Sequence, residues 1–167
     1  MKDKMIRAHM QAAKNYALCS SAVRLKVGAI VVKDDRIISI GYNGQPSGWD
    51  NVCETKEWMP EDAGAWASPE EIETQWPLIE GDQRYRLKTL PTVLHAESNA
   101  IAKLARSSES GLGSAIFITH SPCIDCAKMI YQSGIKEVYY AVDYRSKDGI
   151  EFLEKCGILV KKVLETD

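Results

Sequence analysis

Near the start of the chain, Ile6, Met10, Ala13, Ala17 and Leu18 recur at three- and four-residue intervals among polar neighbours. That spacing lines one face of an α-helix and predicts an amphipathic first helix over about 3–20. The pattern then becomes a continuous apolar run, Val27-Gly28-Ala29-Ile30-Val31-Val32, closed by Lys33-Asp34-Asp35, before an extended pattern resumes from Arg36 to Tyr42. The pair predicts an antiparallel hairpin.

The stretch 44–91 differs in kind. It holds all four tryptophans (Trp49, Trp58, Trp66, Trp76) and five of the six prolines, without strong periodicity. It is expected to be an insertion, at about 45–90, of long irregular loop with short helices, carried on a single domain spanning 1–167. Beyond Pro91 the alternation becomes regular: helix over 92–107, strand 114–119, helix 123–133 stopped by Gly134, strand 137–141, helix 147–156 and strand 158–163. Helices alternating with strands predict an α/β fold, a mixed sheet of about five strands covered by helices.

Composition narrows the function classes. The chain has 167 residues, 45% hydrophobic and 26% charged, which excludes disorder and fibrous architectures. A net charge of −2 lacks the net positive field that drives most sequence-independent nucleic-acid binding, leaving room only for a local basic patch. No apolar run approaches the roughly 20 residues of a membrane helix, and Lys2, Asp3, Lys4 and Arg7 interrupt any signal-like core. Five unevenly spread cysteines (Cys19, Cys53, Cys123, Cys126, Cys156) suit a reducing compartment, so the expected location is cytoplasmic.

The candidate chemistry lies in Leu94-His95-Ala96-Glu97 and Pro122-Cys123-Ile124-Asp125-Cys126. Two sulfurs three residues apart at a helix start share one face, and the helix dipole favours the thiolates that zinc requires. His95, opening another helix, completes a Cys2His set that leaves a fourth zinc position open for water, the mark of a catalytic rather than a structural metal. Glu97 is then placed to shuttle protons to and from that water without ligating the metal. A redox pair or half of a four-cysteine site is the bland reading, weakened because no second Cys-x-x-Cys exists. His120 near the thiols is read as a strand end, since a fourth protein ligand would close the open position.

His-Ala-Glu followed by Pro-Cys-x-x-Cys resembles the zinc-dependent cytidine and deoxycytidylate deaminase superfamily. The segments Gly41-Tyr42-Asn43-Gly44-Gln45-Pro46-Ser47-Gly48, His95 to Ile101, Ser121 to Lys128 and Gln132 to Val138 resemble the deoxycytidylate (dCMP) deaminases, including those of phages. The resemblance implies a three-layer α/β/α sandwich, cytidine deaminase-like, and hydrolysis of dCMP to dUMP and ammonia, supplying dUMP for thymidylate synthesis. It also implies substrate contacts from Asn43 and Tyr144, with Ala96 and Ser121 in the flanking motifs. Arg24, Lys26 and Arg145 are the candidate phosphate ligands, because a cationic fork matches phosphate geometry.

Regulation is implied in the same way: a homo-oligomer, hexameric by analogy, activated by dCTP and inhibited by dTTP, with Mg2+ on the triphosphate. Gly41, Tyr42, Asn43, Gly44 and Gly48 match the region involved. Some phage relatives carry a second, structural zinc on cysteines near the positions of Cys19 and Cys53 together with histidines; no histidine lies between His9 and His95 here, so one Zn2+ per chain is expected. Two other readings stay open: a zinc deaminase acting on tRNA adenosine, guanine or a free nucleoside, and a silent nucleotide-sensing zinc module.

Overall fold

The computed structural model describes residues 1–164. Its centre is a mixed sheet in the order β2-β1-β6-β7-β8, formed by β1 (Gly28–Lys33), β2 (Arg36–Tyr42), β6 (Ala115–His120), β7 (Glu137–Val142) and β8 (Leu159–Lys162). β1 pairs antiparallel with β2 and β6, while β6, β7 and β8 run parallel. β1 and β6 are covered on both faces, which is why each reads as an unbroken apolar run rather than an alternation.

The pleat divides those runs between two cores. Ile30, Val32, Ala115 and Phe117 face α1 (Asp3–Ala17), packing with Ile6, Met10 and Ala13. Phe117 is fully buried and stacks on Tyr139 with ring centroids 4.7 Å apart. Val31, Ile116, Ile118 and Val138 point the other way, into a core shared with α3 (Ala96–Leu104), α4 (Ile124–Gln132) and α5 (Asp148–Lys155). The result is the expected α/β/α layering. The hairpin turns at Asp34 and Asp35, whose φ values of 50° and 57° give the mirror-image turn that matches strand twist.

Two departures from the sequence pattern matter. Helix α3 starts at Ala96 rather than at 92, because Leu94 is extended and exchanges both backbone hydrogen bonds with Gly44, at 2.8 and 3.1 Å. The segment expected to be irregular contains a second sheet, antiparallel, ordered β3-β5-β4 from β3 (Glu54–Trp58), β4 (Leu78–Glu80) and β5 (Gln83–Thr89). A short helix α2 (Pro69–Gln75) precedes β4, opened by a capping box between Ser68 and Glu71. The sheet is knit by Trp58 against Tyr85 at 5.2 Å and by the Lys56–Glu80 and Arg86–Glu57 pairs.

Close helix approach places the site. A Cβ on Gly41 would stand 2.1 Å from the Ala96 carbonyl oxygen, so only glycine lets α3 seat its first turn on β2.

Candidate active site

His95 and Cys123 are the N-cap residues of α3 and α4, and Cys126 lies in the first turn of α4, buried to 2% exposure. The ligands thus converge from two helix starts. His95 Nδ1 stands 3.6 Å from Cys123 Sγ and 3.4 Å from Cys126 Sγ, and the three ligand atoms lie within 4.8 Å of one another. Tetrahedral zinc, with bonds of about 2.0–2.1 Å to nitrogen and about 2.3 Å to sulfur, separates its ligand atoms by roughly 3.5–3.8 Å. The residues fit that ion in identity and spacing, and they form the only such cluster of three or more groups found among the described residues.

The protonation pattern agrees. Hydrogen bonds from Cys126 and then His95 hold the Cys123 thiol down at about 4, while the same bond to Cys123, with burial, raises Cys126. A divalent cation bound between the sulfurs requires both as thiolates and displaces whatever proton they hold. His95 is raised, first by its bond to Cys123. Glu97 is 4% exposed, and burial pushes its carboxyl up to about 7.

His95, Glu97 and Cys123 open into a cavity of about 390 Å3. Its wall includes His95, Ala96, Glu97 and Cys123 with Asn43, Ser121 and Tyr144 from the sequence-derived set. Arg24 and Arg145 line it as well; Lys26 is exposed and does not. Of the residues matched to an effector region, Asn43 lines this cavity, whereas Gly41, Tyr42, Gly44 and Gly48 lie away from it. Gly41 serves the α3 contact, and Tyr42 lies under the Lys103 ammonium at 5.6 Å.

Several of these side chains already have structural partners. Asn43 Oδ1 accepts from the Val27 N–H at 2.8 Å and its Nδ2 donates to the Leu25 carbonyl at 2.8 Å, pinning the 25–27 loop and leaving one N–H and one lone pair for a ligand. Ser121 Oγ accepts from the Tyr144 N–H at 2.8 Å, which ties the loop after β7 to the cysteine turn. Arg145 lies over the Tyr144 ring at 5.8 Å.

Four further polar wall residues are not among those that the sequence pattern singles out for the pocket: Glu54, Thr89, His120 and Asp143. Glu54 and Thr89 come from the second sheet, and nothing in a single sequence announces their register. His120 is placed outside the ligand cluster. Its Nδ1 lies 3.1 Å from Thr119 Oγ1, which also accepts the Gly28 N–H, and burial lowers its pKa. Cys19 is exposed, and Cys53 is buried 3.5 Å from Ser21 Oγ.

Comparison with known proteins places this geometry. The chain is 34% identical over 148 residues to the ComE operon protein 2 of Bacillus subtilis, covering 88% of this chain but 65% of that protein. It is 37% identical over 152 residues to the deoxycytidylate deaminase of Enterobacteria phage T4, covering 83% and 79% of the two chains. A crystal structure of the dCMP deaminase from cyanophage S-TIM5, in complex with dCMP and dUMP, superposes with a TM-score of 0.75 at 43% identity, covering 98% of this chain and 99% of that one. Residues 3–142 match the family described as the cytidine and deoxycytidylate deaminase zinc-binding region. That span takes in the hairpin, both ligand-bearing helix starts and β7, and the chain therefore belongs to the zinc-dependent cytidine and deoxycytidylate deaminase family.

Proposed function

We propose that this chain hydrolyses dCMP to dUMP and ammonia in the cytoplasm, supplying dUMP for thymidylate synthesis. The observation that carries the reading is one cavity shared by a Cys2His cluster, a buried carboxyl and two arginines. The likeness to the phage T4 and cyanophage enzymes supports dCMP as the substrate.

Zinc on His95, Cys123 and Cys126 would supply a water acidic enough to act as a nucleophile near neutral pH. Glu97, screened from solvent and poised near neutrality, takes one proton from the attacking water and passes it to the ring nitrogen, then takes the second from the added hydroxyl and delivers it to the departing amine. Asn43, with its spare N–H and lone pair, orients sugar and base, while Ala96, Ser121 and Tyr144 shape the wall around the ring. Arg24 and Arg145 receive the 5′-phosphate.

Ammonia release by the zinc-loaded chain, from dCMP beside cytidine, deoxycytidine, dCTP, guanine and a tRNA substrate, tests this. Turnover selective for dCMP is expected; turnover of another nucleobase, or none with zinc bound, overturns it.

The same reading extends to control, with activation by dCTP and inhibition by dTTP, each with Mg2+, in a hexamer. Its support is the likeness of the Gly41 to Gly48 segment to the family's effector region. Rates that fall with dTTP and recover with dCTP at several dCMP concentrations are expected, and rates indifferent to dTTP would remove it.

A further inference from the structure

Arg24 is gripped from two sides by one cross-strand pair. Glu54 on β3 and Thr89 on β5 oppose each other in register at the end of the second sheet. Glu54 Oε1 accepts the backbone N–H groups of Val23 at 3.0 Å and Arg24 at 3.1 Å, and Thr89 Oγ1 accepts from Arg24 Nη1 at 3.0 Å. One strand residue thus fixes the backbone of the loop and the other fixes the guanidinium.

The grip is itself anchored. The ladder continues one step beyond the pair, where the Leu90 N–H donates to the Cys53 carbonyl at 2.9 Å. Cys53 is 1% exposed and packs with Ala22 and Val93, with Leu90 against them. The foot of the insertion is therefore buried beside the loop that carries Arg24. Arg24, Glu54 and Thr89 all line the cavity that contains His95 and Glu97.

An unrestrained arginine on a loop loses rotamer freedom when it captures an anion, and fixing it beforehand lowers that cost. We infer that Glu54 and Thr89 are positioning residues through which the 44–91 insertion preorganises Arg24 for the 5′-phosphate, setting selectivity for nucleotide over nucleoside. The inference rests on the proposed reading of Arg24 as a phosphate ligand. It also accounts for the Trp-rich segment, since the ion pairs and the tilted Trp58–Tyr85 pair of its sheet hold a two-residue clamp at its base.

The test compares Arg24→Ala, Glu54→Ala, Thr89→Val and Thr89→Ser in the full zinc-loaded chain. Steady-state kinetics with dCMP and deoxycytidine are combined with dUMP dissociation constants and thermal unfolding midpoints. Glu54→Ala and Thr89→Val are expected to raise the KM for dCMP and the Kd for dUMP by about tenfold, with kcat for dCMP falling less than about twofold. Deoxycytidine should be affected much less, and Thr89→Ser should restore the parental KM. If Arg24→Ala raises the dCMP KM while the Glu54 and Thr89 variants do not, the inference falls and the phosphate reading stands. An equal loss for nucleotide and nucleoside in the Glu54 and Thr89 variants assigns them a merely structural role and also overturns it. If Arg24→Ala leaves dCMP and dUMP unaffected, the phosphate reading falls and the inference with it.

Discussion

Gly149, in the first turn of α5, lies so close to Pro122 that an added Cβ would stand 2.1 Å from the Pro122 carbonyl oxygen and 3.0 Å from the carbonyl carbon and oxygen of Cys123. Helix α5 therefore backs the turn that presents the cysteines. Overpacking a site of this kind costs about 1–3 kcal/mol, and here the strain falls on a ligand residue. Gly149→Ala should lower the unfolding midpoint and release zinc at lower chelator concentration than the parent chain. Metal analysis after graded chelator dialysis checks this, and unchanged retention would count against it.

Zinc content should be one atom per chain. Cys126→Ala, removing the most buried ligand of the cluster, should bring it close to zero and abolish deamination. Two atoms per chain would point instead to a second site involving Cys19 and Cys53.

Glu97 is assigned to proton transfer, so Glu97→Gln should retain zinc and lose deaminase activity by about 10²–10⁴-fold, the range typical of a positioned acid-base group. Undiminished turnover would refute the assignment, and loss of the metal would move Glu97 into the structural frame.

His9 offers a test of the fold. It is 6% exposed on α1, its Nε2 has no partner, and its ring lies 5.3 Å from Phe117. Burial lowers its pKa from 6.5, with the Asp35 charge opposing. As pH falls through 6.5 the unfolded chain takes up this proton first, so stability is kept above 6.5 and lost progressively below it, down to the folded value. In urea unfolding at about pH 7.5 and about pH 5, the parent chain should lose more stability on acidification than His9→Gln; equal losses would exclude His9 as the source.

At the hairpin, Asp35 has φ 57°, a region costly for side chains other than Asn or Asp and free for glycine. Asp35→Val puts a β-branched side chain at that φ and should lower stability by about 1–2 kcal/mol, read from denaturant midpoints; an unchanged midpoint would count against it.

The elements legible in the sequence are those whose burial speaks in one voice. β1 and β6, covered on both faces, stand out as apolar runs, and the ligand spacing 123/126 is a local geometric fact of a helix start. The strands of the second sheet are mostly exposed; in β5, Tyr85 and Leu87 alternate with Arg84, Arg86 and Lys88, and Thr89 is its one β-branched residue. Its period of two is present but is carried by charge pairs and rings rather than by a buried face. The start of α3 is hidden because the Gly44–Leu94 bridge joins residues 50 positions apart. Arg24 and Lys26 look alike in sequence and both are exposed, but Arg24, tethered to Glu54 and Thr89, lines the cavity and Lys26 does not.

His95 and Cys123, 28 residues apart, cap two different helices. An ion bound between them is a reversible staple that closes the intervening loop, β6 included, and the unfolded chain must either keep that loop closed or surrender the ion. Occupancy should therefore govern how long the segment between α3 and β6 withstands a protease, with cellular zinc supply setting the protein's lifetime as well as its chemistry.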